Sequence, residues 1–191
     1  MIALPMDNKG KYTKFPQGKT KLRFLTEPMA GFQVWIEDEN GRKPVRCKAE
    51  KKTIDGIEVS IPSQVLPQAT RPDDYQKFIL VSLVWNYNTE QIEVFVVDKA
   101  TIWKPLAEYN NNEDWGSPTN YDITITKVGE GRDTTYSVIA SPAKALDKQI
   151  ADKFKSEKES IDLEKIFTGE NPFGVTSSNT EMVIDPDDLP Y

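Results

Sequence analysis

Cations and a single indole recur along the first third of the chain at a spacing that could hold a polyanion. In residues 21–25 (KLRFL), Lys21 and Arg23 share one side of an extended strand. In residues 31–37 (GFQVWIE), Gln33, Trp35 and Glu37 lie opposite the apolar set Phe32, Val34 and Ile36. In residues 44–50 (PVRCKAE), Arg46 and Lys48 lie opposite Val45, Cys47 and Ala49. If these three strands pair as a meander, Lys21, Arg23, Trp35, Arg46 and Lys48 occupy one exposed face, with Arg42 and Lys43 at its edge. Such a surface neutralises phosphates and stacks bases, at ~1–3 kcal/mol per stacked base whatever the sequence. Tyr87, near the end of a later strand, could reach the same groove. The competing account packs Trp35 beneath a loop such as residues 53–72.

Other chemistries find less support. The chain has no histidine and one cysteine, Cys47. His-based triads, His general bases, His- or multi-Cys zinc sites and intramolecular disulfides are therefore excluded. Two acidic groups, Glu37-Asp38-Glu39 and Asp73-Asp74, could in principle hold Mg²⁺ for a nuclease. Both fall in predicted turns without a convergent third group, so the reading assigns no catalytic residue, metal or cofactor.

The net charge of −6 over 191 residues conceals an asymmetry. Residues 1–52 carry +6, residues 53–144 carry −6, and residues 145–191 carry −6. Phosphate affinity depends on the local field, which decays over ~8–10 Å, so a basic first third can bind a polyanion despite the acidic average. No apolar run reaches the ~20 residues of a membrane helix, and residues 1–10 lack an apolar signal core, so the expected location is cytoplasmic.

The elements that must position these residues are mostly short strands. Residues 1–19 read as a basic flexible arm. The dipeptide Asn40-Gly41 between alternating segments marks a hairpin. Residues 77–87 (KFILVSLVWNY) form the strongest strand, with 91–97 (QIEVFVV) as partner across a turn at 88–90. Phe95 lies opposite Ile92, Val94 and Val96 and is a candidate for exposure, whereas Trp85 is expected in the core. Ile102, Trp103, Leu106 and Tyr109 recur at helical spacing, with Asp98 available as N-cap and Pro105 implying a kink or a late start. Residues 121–128 and 133–139 form a last hairpin. The expected fold is mainly β: an OB-fold-like antiparallel barrel over 20–142 with one helix between strands. A helical segment, 143–167, and a disordered acidic tail, 168–191, complete the chain.

The tail closes in DPDDLPY. Asp185, Asp187 and Asp188 precede Leu189, Pro190 and Tyr191, a compact peptide suited to a basic, apolar-floored pocket. This ending resembles the acidic tip of single-stranded DNA-binding proteins that recruit replication enzymes. The body resembles phage-type single-stranded DNA-binding proteins with an OB-fold, through FLTEPMAGFQVWIEDENGRKPVR, VWNYNTEQIEVFVVDKATIWKPL and DWGSPTNYDITITKVGEGRDTTYSV, which together cover most of residues 20–140. The chain departs from the zinc-containing members in lacking Cys/His ligands, and its tip ends in Tyr191 in place of Phe. The resemblance implies coating of transient single strands in the host cytoplasm during phage replication, recombination and repair. Replication or recombination proteins would dock on the tip; self-association is left open. The alternatives are a phage structural or adaptor protein that uses the barrel as scaffold, and a metal-dependent nuclease.

Overall fold

The computed structural model describes residues 11–174. Its strands are β1 (Gly18–Phe24), β2 (Met29–Asp38), β3 (Gly41–Ile54), β4 (Ile57–Pro62), β5 (Lys77–Asn86), β6 (Gln91–Val97), β7 (Asp122–Val128) and β8 (Thr135–Ala140). The helices are α1 (Ala100–Asn111), α2 (Lys148–Glu157) and the single turn α3 (Lys165–Thr168). The fold is mainly β, an antiparallel sheet of eight strands in the order β4-β3-β2-β5-β1-β7-β8, with β6 on the other edge of β5.

Strand β5 organises the sheet because both of its sides are dominated by β-branched, Leu and aromatic residues, Ile79, Val81, Leu83 and Trp85 on one and Phe78, Leu80 and Val84 on the other. One edge pairs with β6 along its length. The other is shared end to end: β2 pairs with Lys77–Val81 and β1 with Val84–Asn86. The expected meander of three early strands is therefore corrected. β2 and β3 do pair, with Gln33 opposite Arg46 and Trp35 opposite Pro44, but β1 pairs with β5 and β7. The reason lies in the link between β1 and β2, which stays extended along β5. Leu25 N–H donates to the Leu83 carbonyl, and Thr26 Oγ1 accepts from Leu83 N–H, so no hairpin forms there. Strand pairing does not close the sheet into a barrel.

Apolar cores fill both sides of β5 and β6. On one side α1 covers Leu22, Phe24, Leu80, Val84, Phe95, Tyr121 and Ile123. Phe95 is fully buried, against expectation, because this side of β6 is covered too. On the other side Ile79, Val81, Leu83, Trp85, Ile92 and Val94 meet Ile150, Ile161, Ile166, Phe167 and Phe173. Each such side chain contributes ~1.5–3 kcal/mol on burial. Residues 146–173 are thus part of the packed body. Gly31 lets them pack against β2, since a Cβ there would collide with the Phe167 ring.

Residues 11–17 are also held. Tyr12 bridges to Val94 at the free edge of β6, Phe15 packs edge-on against Phe95 and Tyr136, and Gln17 donates to the Gly129 carbonyl. Phe15 thereby links β6 to β8 across the gap that strand pairing leaves open. At α1 the N-cap is Lys99, not Asp98, whose carboxylate accepts instead from Gln33 Nε2 at 2.9 Å. The β3–β4 hairpin turns through Asp55 and Gly56, both at positive φ (51° and 80°). Among the described residues no helix is long and apolar enough to cross a membrane.

Candidate nucleic-acid interface

Alternation and register agree on the side to which the early cations point. Arg23 lies opposite Trp85, Gly31 opposite Ile79 and Lys48, and Gln33 opposite both Lys77 and Arg46, so Lys21, Arg23, Trp35, Arg46 and Lys48 share one side of the sheet. That side is not an open surface. Its middle is the core covered by α2, α3 and Phe173, which divides the cations into two groups. Lys77 and Trp85, near the two groups, are eight residues apart along β5, about 26 Å.

The first group is centred on Asp122. This carboxylate is fully buried and is surrounded by Arg23 Nε at 2.8 Å, Lys144 Nζ at 2.8 Å and Lys21 Nζ at 3.1 Å. The Tyr87 hydroxyl donates to the same carboxylate at 2.9 Å. Arg23 is sealed at 1% exposure, which corrects its expected place on a solvent face. Register explains it: Arg23 sits directly opposite Asp122 in the β1–β7 ladder, and Nη1 also donates to the carbonyls of Thr119 and Lys144. Burial pushes the Asp122 carboxyl up, but hydrogen bonds from Lys144, Arg23, Lys21 and Tyr87 outweigh this and hold it at about 2. Burial and the bond to Asp122 push the Tyr87 hydroxyl up to about 12. Three cations around one carboxylate leave two positive charges in surplus.

That surplus reaches water. The Lys21 and Lys144 side chains are 43% and 53% exposed, and their ammonium groups lie 4.7 and 5.9 Å from the centre of the half-buried Tyr87 ring. The group continues onto an uncapped face of β1, β7 and β8, where Lys19 is opposite Thr126, Lys21 opposite Thr124, and Thr124 opposite Ile139. Ile139 is 61% exposed. A half-exposed ring between two lysines, beside an open strand face, can hold a phosphate and a base together.

The second group has Trp35 and Arg42 beneath residues 63–76 and Lys43, Arg46 and Lys48 beside them. Trp35 is buried, which corrects its expected exposure and agrees with the competing loop account. The Arg42 guanidinium lies 5.2 Å over the indole and pairs with buried Asp74 from the loop. Arg71 donates to Glu37 Oε2 from two nitrogens, and Glu37 N–H donates to Thr70 Oγ1. Lys43 pairs with Asp38 at the hairpin, Arg46 Nε donates to Gln33 at 3.0 Å, and Lys48 pairs with Glu164 beside α3. Three of the five acids considered for Mg²⁺ are accordingly turned towards cations: Glu37 to Arg71, Asp38 to Lys43 and Asp74 to Arg42. Among the described residues no group of three or more His, Cys, Asp or Glu could hold a metal ion.

Of the expected binding residues, the structure brings Lys21, Arg23 and Tyr87 together and sets Trp35, Arg42, Lys43, Arg46 and Lys48 apart from them. The tip residues Asp185, Asp187, Asp188, Leu189, Pro190 and Tyr191 lie outside the described residues. Asp122 and Lys144 escaped the sequence reading. A lone acid in the apolar strand YDITITKV and a lone Arg in KLRFL were the available signal, since buried opposite charges are costly unless paired. Nothing in the sequence around Lys144 sets it apart. No family model, no curated protein and no solved structure matches the chain.

Proposed function

We propose that this protein binds single-stranded DNA without sequence preference, coating transient strands during phage replication, recombination or repair. The observation that carries the proposal is the Lys21–Tyr87–Lys144 group, a half-exposed aromatic ring flanked by two ammonium groups above the buried Arg23–Asp122 pair. Cations that track phosphates and a ring that accepts any base constitute sequence-tolerant binding. The uncapped β1–β7–β8 face beside it supplies room for a strand. In this reading the sheet, bridged by Phe15 and plugged by α1, serves as an OB-type barrel. Residues 185–191 are the docking peptide for replication or recombination proteins, and no covalent chemistry is involved.

The test is titration with labelled oligo-dT at two salt concentrations. Affinity is expected to fall with salt, with a log–log slope of about −0.7 per phosphate neutralised. The double substitution Lys21→Ala/Lys144→Ala is expected to make that slope shallower by about 1.4 while the fold remains. Deleting residues 175–191 is expected to leave binding unchanged or tighter. Absence of binding at low salt sinks the proposal and favours a scaffold role.

A further inference from the structure

Two buried donors under residues 63–76 have no acceptor. Trp35 Nε1 and Arg42 Nε are both enclosed and unbonded, in side chains more than nine-tenths buried. Leaving a buried donor unpaired is unfavourable, so the closed arrangement over Trp35 is held at a cost. The segment responsible is the fourteen-residue connection between β4 and β5, long for a link between two strands of one sheet. Its attachments to β2 and β3 are few. One is the half-exposed Arg71–Glu37 pair, a kind of contact that contributes little. The others are the Thr70–Glu37 hydrogen bond, the Asp74 carboxylate on Arg42 and, where the segment leaves β4, Ser63 N–H on the Lys48 carbonyl and the Cys47 thiol on the Gln64 carbonyl. Val65 and Tyr75 of this segment stand 98% and 65% exposed, contributing little burial to its closure.

What the segment covers has the composition of a nucleotide site. A guanidinium stacked on an indole supplies a fork for phosphate and a flat apolar plane for a base. Asp74 takes the position on Arg42 that a phosphate oxygen would take. We propose that Trp35 and Arg42 form a second, covered nucleotide-binding site, and that residues 63–76 act as its internal competitor. A single strand bound at the Lys21–Tyr87–Lys144 group continues outside α2 and α3, which cover the middle of that side, and at its far end displaces Asp74 from Arg42 and releases Arg71 from Glu37. Arg42 then turns to phosphate and uncovers the indole for a base. The inference rests on the single-strand reading above and specifies where the strand goes next.

The experiment compares oligo-dT affinity of the full chain with that of Asp74→Asn, Asp73→Asn and the double variant Asp74→Asn/Trp35→Leu, alongside amide exchange of the unsubstituted protein with and without oligo-dT. If the site is open a tenth to a fifth of the time, Asp74→Asn tightens binding about five- to tenfold. Asp73→Asn makes the same charge change on the neighbouring exposed acid and is expected to alter affinity less than about twofold. Trp35→Leu cancels the gain. In the unsubstituted protein, amides in 66–75 exchange faster when oligo-dT is bound, a readout that needs no variant to fold. Binding with equal effects of Asp73→Asn and Asp74→Asn, or with loop exchange slowed or unchanged, overturns the covered site and leaves the general function standing. No binding by any of the proteins overturns both.

Discussion

Asp122→Asn separates what the Asp122 group does for stability from what it does for a ligand. Arg23 and Asp122 are each 1% exposed, so the substitution leaves a guanidinium charge in the interior without its counter-charge. Breaking a buried pair from one side costs about 3–5 kcal/mol. The Asn carbonyl can still accept from Arg23 Nε and the Tyr87 hydroxyl, which places the expected loss near the lower end, about 3 kcal/mol. The half-exposed Lys21 and Lys144 add little. For a chain of this size each kcal/mol moves the melting temperature by about 2–4 °C, so Tm should fall by about 6–12 °C at pH 7.

The pH dependence has a definite sign. The carboxyl is lowered from 3.8 to about 2 in the folded state, so its ionisation stabilises the fold above pH 3.8 and that contribution is lost as pH falls through 2. Allowing for water around the two exposed lysines, the pH-dependent part is of order 1–2 kcal/mol. Circular-dichroism melts of both proteins at pH 7, 5, 3 and 2 measure it. The gap between them should hold from pH 7 to 5 and narrow between pH 4 and 2. Oligo-dT affinity of the variant at pH 7 should not weaken, because the substitution removes the buried anion that three cations surround. A variant melting within about 2 °C of the unsubstituted protein, or a gap unaffected by acid, refutes the reasoning.

Tyr87→Ala should weaken oligo-dT binding by the value of one stacked base, about 1–3 kcal/mol. Tyr87→Phe, which loses only the bond to Asp122, should retain the affinity and lose about 1 kcal/mol of stability in urea titration. Gly31→Ala should displace Phe167 and press on the Cys47 carbonyl of β3, costing about 1–3 kcal/mol, read as faster amide exchange across residues 161–173. A chain ending at residue 142 should lose its cooperative melt and bind a hydrophobic dye, because Ile79, Val81, Leu83, Ile92 and Val94 lose their cover. A sharp melt of that fragment would show that the second core is dispensable.

Much of the strand content was legible from period-two alternation. The β5–β6 and β7–β8 hairpins and the pairing of β2 with β3 all follow from apolar alternation bounded by turn residues. The β3–β4 hairpin was missed although Asp55-Gly56 between Ile54 and Ile57 carries its signal. Helix α1 was legible from the spacing of Ile102 and Leu106, both buried. Its cap was not, because Asp98 is drawn off by Gln33, a residue 65 positions away.

Alternation along a strand depends only on backbone stereochemistry, so the residue pattern put Lys21 with Arg23, and Arg46 with Lys48, on one side of their own strands, while their sharing one side of the sheet with Trp35 came from the pairing of β1 and β2 with β5. Whether that side meets water depends on which distant segment has enough apolar surface to cover it. Packing between distant segments is what makes α2, α3 and Phe173 seal its centre, closes residues 63–76 over Trp35 and brings Asp122 and Lys144 onto Lys21, Arg23 and Tyr87. The physical reason is that these are contacts between residues far apart in the chain, selected by the joint burial of apolar area and the pairing of buried charge, and no local pattern carries either.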